Sequence, residues 1–216
     1  MPTAHIYTFS RLVHAYPGNW EQLLASMEAG KQFAFSYYLP MREAVVLFCA
    51  KRGKDRDVIF QEMIARARNI GGVRGQKMAR DNAHAFISFE TVFYPKISRF
   101  RRNLLREQRT GCEFAGLTLE GGPHFEAADH QGRKRHVFLH AANWSRDDLA
   151  AYLELLGIII EGYYGGDSST LWVFDLRNGK EIKWQSSSRV RNRCSGAAKL
   201  YARLISAIEN PEQIEP

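Results

Sequence analysis

The chain has 216 residues, 45% of them hydrophobic and 25% charged, with a formal net charge of +7 and a pI near 9.4. That is enough for one substantial core and an ordinary globular composition, which excludes long disorder outside the tail 210–216. No run approaches the ~20 apolar residues of a membrane span, and the basic balance points to an anionic partner.

Taken in chain order, Met1 to Phe9 is expected as an edge strand or an irregular lead-in. Neither a basic head nor a long apolar stretch is present there, so no secretory signal is expected. Pro17-Gly18-Asn19 is a turn, with Asn19 able to cap a helix over Trp20 to Ala29 that Gly30 stops. Pro40 breaks the aromatic stretch Gln32 to Tyr38, and Arg42 to Lys51 reads equally as a strand or a buried helix. Asp55 or Asp57 opens a helix that runs to Arg68 and closes at Gly71-Gly72. Met78, Phe86, Phe89, Phe93, Ile97, Phe100 and Leu104 then recur mostly at steps of three and four, predicting a long helix that Pro95 kinks or splits.

Three β-type runs follow, Glu113 to Leu119, His124 to Asp129 and Lys134 to His140, expected as consecutive antiparallel strands. Ser145 caps a helix through Tyr163 whose Leu149, Leu153, Leu156 and Ile160 share one face. Thr170 to Trp184 is a hairpin with Asn178-Gly179 predicting a type I′ turn, and Ser195 to Ile208 reads as a final helix. The fold class expected is α/β: a central mixed sheet with flanking helices, in the order α-β-β-β-α-β, plus an N-terminal helical layer. Residues 1–75 form that layer and 76–216 the core, together one compact domain.

The charge is unevenly spread. Lys96, Arg99, Arg102, Arg106 and Arg109 fall at steps of three and four, giving one basic face if the segment is helical. Between Glu181 and Glu209 there is no acid, while Lys183, Arg189, Arg191, Arg193, Lys199 and Arg203 are all present. Ser186 to Ser188 stand beside the arginines, and hydroxyls with guanidinium groups suit phosphate. His124, His130, His136 and His140 invite a metal reading, but His136 and His140 are ~13 Å apart along a strand, too far for one ion. Cys49, Cys112 and Cys194 form no C-x-x-C pair, so no Cys-only zinc or iron–sulfur site is expected, and a reducing cytoplasmic compartment fits. No nucleophile elbow, P-loop or dinucleotide fingerprint is present.

Residues 84–184 resemble the RecB-like branch of the PD-(D/E)XK nucleases, which includes CRISPR-associated exonucleases. That branch carries a helical His often followed by a Glu, here His84 and Glu90. A strand ending in G-x-x-D comes next, and Gly121-Gly122-Pro123-His124 stands in its place, with His124 for the metal-binding Asp. The neighbouring D/E-x-K strand end is matched by Val137 to Ala141, which has neither the acid nor the lysine. A Q-x-x-x-Y helix is approximated by Asp148-Leu149-x-x-Tyr152.

The resemblance implies a nucleic-acid substrate and Mg²⁺ chemistry, with paired carboxylates holding the ion. Their absence from the matched positions implies a degenerate nuclease, such as an accessory protein of a mobile element or defence system. It would bind DNA or RNA through Lys96 to Arg109 and Lys183 to Arg203 without a cofactor. One rival is an active nuclease using Mg²⁺ or Mn²⁺ with displaced Glu90, Glu126, Asp129 and Lys134, and His84 or His124 as weaker metal candidates. Another is an assembly subunit whose basic surface meets an acidic protein, with Tyr163, Tyr164 and Trp172 as contacts. No membrane partner is expected, and the oligomeric state is left open.

Overall fold

The computed structural model describes residues 1–20, 22, 37–102 and 111–209. Strand β1 (Thr3–His5) leads directly into helix α1 (Ile6–Leu12), with the His5 ring accepting from the Tyr7 N–H at the helix start. Three helices follow: α2 (Leu39–Ala50), α3 (Arg56–Arg68) and α4 (Gly72–Ser88). The ambiguous Arg42 to Lys51 run is thus helical, and Pro40 sits in its first turn, where a missing N–H costs nothing. Most of the helix expected over Trp20 to Ala29 lies outside the described residues, as do Leu104, Arg106 and Arg109.

The long helix is corrected. It ends at Ser88, passes through a π turn (Phe89–Phe93) and a short 3₁₀ turn (Tyr94–Lys96), and becomes strand β2 (Ile97–Arg102). Pro95 cannot continue an α ladder, and in β2 Ile97 and Phe100, three apart, both pack on the core because the β2–β5 register shifts between Ile97 and Arg99. Phe89 and Phe93 keep the helical stripe going because the π turn still faces the sheet, which is why a single helix fitted the spacing.

The run Glu113 to Leu119 is likewise two strands, β3 (Gly111–Phe114) and β4 (Leu117–Glu120), joined by a tight turn at Ala115-Gly116. Both turn residues have positive φ, at 50° and 89°, so the turn signal was half hidden by an alanine in a conformation alanine rarely takes. β3, β4 and β1 make a small sheet of order β1-β4-β3, with β1 parallel to β4.

Strands β5 (Phe125–Asp129) and β6 (Lys134–His140) form the next hairpin. Helix α5 (Arg146–Gly162) crosses over to β7 (Leu171–Asp175), and β8 (Lys180–Ile182) and helix α6 (Ser188–Glu209) complete the chain. The large sheet has the order β2-β5-β6-β7-β8, and only β6 and β7 run parallel. The three consecutive antiparallel strands expected over residues 113–140 are therefore not formed. From α4 onward the chain order is α4, β2, β3, β4, β5, β6, α5 and β7, so the runs read for the order α-β-β-β-α-β do not form it as expected, while the coarser class, α/β with mixed sheets and flanking helices, is what the chain adopts. The β7–β8 turn also differs from the two-residue type expected: Asp175 pairs with Lys180 across four residues, and of those four only Gly179 has positive φ.

Two cores cover the two faces of this sheet. Phe125, Ala127, Val137, Leu139 and Phe174 meet α2, α3 and the π turn on one face. Phe138, Leu171 and Val173 meet α5 on the other, where α1 and α6 close over the helix. Residues Ala151 to Ile160 are all buried, so α5 is an interior helix and its expected single face is only part of its contact. Leu153, Leu156 and Ile160 are buried as anticipated, and Leu149 packs at the margin. At Gly157 an added Cβ would lie 2.6 Å from the Trp184 ring, so glycine lets that indole close the β8 end onto α5.

Candidate functional site

Helix α6 sorts the acid-free segment by face. Cys194 and Ala198 are buried, and Val190, Ala197, Tyr201 and Ala202 pack beside them, with the Tyr201 ring 5.9 Å from Phe9 and 6.2 Å from Trp20. At 3.6 residues per turn the opposite face carries Arg189, Arg193, Lys199 and Arg203, all exposed. Arg189, Lys199 and Arg203 have no carboxylate partner among the described residues, and Arg193 reaches only the His14 ring, at 2.8 Å. Arg191 is different: it pairs with Glu161 at 2.6 Å on the packed side and is not part of the open face. Lys183 is exposed just beyond β8. Of the serines expected to touch phosphate, Ser186 gives its hydroxyl (2.7 Å) to buried Glu154, which also accepts from the Ser187 N–H (3.0 Å), while Ser188 is exposed at the start of α6.

The first basic cluster loses its helical geometry. Lys96 pairs with Glu181 at 3.2 Å and lies over the Phe93 ring. Arg99 is exposed on β2, an edge strand of the large sheet, and Arg102 ends it. Charges on an edge strand block pairing with another chain, which is reason enough for their presence. Arg106 and Arg109 lie outside the described residues.

The displaced carboxylate set is not brought together. Glu90, on the π turn, accepts from Arg56 of α3 on the helical side of the sheet. Glu126 pairs with Lys134 and approaches the His136 ring at 3.4 Å on the other side. Asp129 closes the β5–β6 turn, accepting from the Gln131 and Arg133 N–H groups and from the Arg133 and Arg135 guanidinium groups. Desolvation pushes its carboxyl up, but those donors outweigh it and hold it down at about 2. Among the described residues no three His, Cys, Asp or Glu side chains converge as a metal site would require.

His124 is buried at the start of β5. Its ring stacks on Phe138 at 4.9 Å and its Nδ1 accepts from the Leu139 N–H at 2.8 Å, which leaves the proton on Nε2. Burial first, and then the Arg42 guanidinium, hold it neutral well below the usual histidine range. His140 is depressed too, by burial in the main. Asp175, opposite His140 in the β6–β7 register, is used by its own turn, accepting from the Arg177 and Asn178 N–H groups. Two neutral imidazoles beside a guanidinium are a poor seat for a hard divalent cation, which prefers oxygen ligands. The residues in the matched positions do not fit Mg²⁺.

His84 stands apart from His124, exposed on α4, in the wall of an open groove at the carboxyl ends of the parallel strands β6 and β7. The groove consists of two adjoining pockets, of about 470 and 610 Å³, that share Tyr37, Tyr38 and Asn143. Arg11 and Arg74 line the first, with Tyr7 and Trp144. Lys77 and Arg177 line the second. Sequence reasoning missed these residues because they come from α1, α4, the β6–α5 loop and the β7–β8 turn. The one available signal was topological: α/β sheets gather ligands at the carboxyl ends of parallel strands.

Of the aromatic contacts proposed for a protein partner, Trp172 is 8% exposed in the core and Tyr164 lies against the His136 ring, whereas Tyr163 is exposed. Cys49, Cys112 and Cys194 are all free thiols, and burial pushes Cys49 and Cys194 up to about 12. Among the described residues no helix is long and apolar enough to cross a membrane. No protein-family model matches the chain, no curated protein is significantly similar to it, and no solved structure is significantly similar to its fold.

Proposed function

We propose that this protein binds nucleic acid through the cationic face of α6, on a scaffold related to the RecB-like nucleases whose metal positions have been lost. The observation that carries the binding reading is the row Arg189, Arg193, Lys199 and Arg203, exposed and without a carboxylate partner among the described residues, on a helix whose other side is anchored in the core. A cation already neutralised by a neighbouring acid has little to give a phosphate, whereas these release counterions when a polyanion docks. What supports the scaffold reading is the sheet order β2-β5-β6-β7-β8, with α4 ahead of its first strand and α5 crossing between its parallel pair. What supports the loss of catalysis is His124, its Nδ1 committed to the Leu139 N–H and Arg42 nearby.

A combined mobility-shift and cleavage assay tests this, on single- and double-stranded DNA and RNA, with and without Mg²⁺ and Mn²⁺. The expected result is a shift that needs no divalent ion and no hydrolysis. Metal-dependent cutting that disappears in Glu126→Ala or Asp129→Ala would overturn the reading in favour of an active nuclease.

A further inference from the structure

The groove at the carboxyl ends of β6 and β7 is lined by two kinds of side chain, cationic and aromatic. Exposed cations stand along it, Arg11 on α1, Lys77 on α4 and Arg177 after β7. Between them are aromatic rings, Tyr7, Tyr37, Tyr38 and Trp144. The rings are held rather than loose: Tyr7 and Trp144 lie 5.3 Å apart, Trp144 meets Tyr152 at 4.9 Å, and Tyr37 meets Tyr38 at 4.9 Å. Of the two carboxylates in the walls, Asp81 accepts from the Tyr37 hydroxyl at 2.7 Å and Asp148 lies in the first turn of α5. The cations are left facing the opening.

We propose that this groove takes a single-stranded stretch of nucleic acid, with unpaired bases against Tyr7, Tyr38 and Trp144 and phosphates beside Arg11, Lys77 and Arg177. The inference rests on the nucleic-acid reading above and adds a second site and a substrate class to it. A base in a duplex has both faces covered by its neighbours and cannot lie on a side-chain ring, whereas an unpaired base can. Cations flanking rings track the backbone without reading sequence, so the groove discriminates strandedness and not sequence. Duplex is left to the α6 face, where no aromatic ring stands among the outward cations.

The test compares binding of fluorescent oligo(dT), an abasic oligonucleotide of the same length and a duplex at one salt concentration, by anisotropy. Wild type should bind oligo(dT) at least about tenfold more tightly than the abasic strand, the ratio expected when one or more bases stack. Lys77→Ala/Arg177→Ala should weaken oligo(dT) and leave duplex unchanged. Tyr38→Leu should erase the preference for bases over the abasic strand. Both variants are checked for a native melting transition, and the paired surface-cation variant decides if Tyr38→Leu does not fold. Equal binding of oligo(dT) and the abasic strand, or no loss in Lys77→Ala/Arg177→Ala, overturns the groove while leaving α6 intact. Loss of oligo(dT) in the groove variants with none of the ligands affected by Arg189→Ala/Arg193→Ala overturns the α6 reading and keeps the groove. No binding of any ligand by wild type at low salt overturns both.

Discussion

Two buried polar residues, His136 on β6 and Glu154 on α5, are held by specific partners. His136 is 1% exposed, and its Nδ1 lies 2.7 Å from the Thr170 hydroxyl. That hydroxyl gives its one proton to the Asp167 carbonyl at 2.6 Å, so it must accept from His136. The Nε2 lone pair is then bare and faces Glu126. Burial, with Lys134 adding to it, pulls this imidazole down to about 4 from its ordinary 6.5. In the unfolded chain the ring takes a proton that the folded protein refuses until about pH 4, so stability is full above 6.5 and falls as the pH drops through that window. His124 and His140 are depressed in the same direction and add to the slope. Urea midpoints measured from neutral pH downward should decline accordingly, less steeply in His136→Gln, and a flat profile would contradict the assignment. Glu154, 1% exposed, gives a second prediction. Glu154→Ala removes the carboxylate that accepts from the Ser186 hydroxyl and the Ser187 N–H and should cost about 1–3 kcal/mol in denaturant unfolding. An unchanged midpoint would mean that water reaches those donors.

Among the elements, the wall of phenylalanines joins the helical layer to the sheet. Phe174 is fully buried, stacks on Phe93 at 4.4 Å and meets Phe89 and Trp172. Truncation in Phe174→Ala removes contacts to the π turn and its neighbours at once, for an expected loss of about 3–5 kcal/mol. A loss under about 1 kcal/mol would mean the layer collapses onto the gap with little strain. This wall also explains what the sequence could and could not convey. β5, β6, α5 and β7 were legible to within a residue or two, because each is a largely apolar run of strand or helix length set between turn residues or a helix cap. β2 was not, since the helix stripe ran through the π turn into the first apolar positions of the strand. The β3–β4 hairpin was hidden by Ala115, whose positive φ nothing in its chemistry advertises. At the candidate site, α6 was recognised by charge alone. Which of its cations are open needed the packing, and it is Glu161 that removes Arg191 from the set.

For the whole molecule, a net charge of +7 leaves cations exposed in several places, and α6 gathers four of them on one face of a segment that carries no acid between Glu181 and Glu209. That asymmetry is the central claim, because a merely basic protein would show salt-sensitive binding that no single helix controls. The measurement that tests it most directly is the salt dependence of duplex affinity for wild type and for Arg189→Ala/Arg193→Ala/Lys199→Ala. Each lost phosphate contact lowers the slope of log K against log salt by about 0.9, so the triple variant should be shallower by about 2 to 3. Equal slopes for the two proteins, with binding still present, would contradict the assignment of α6 as the nucleic-acid surface.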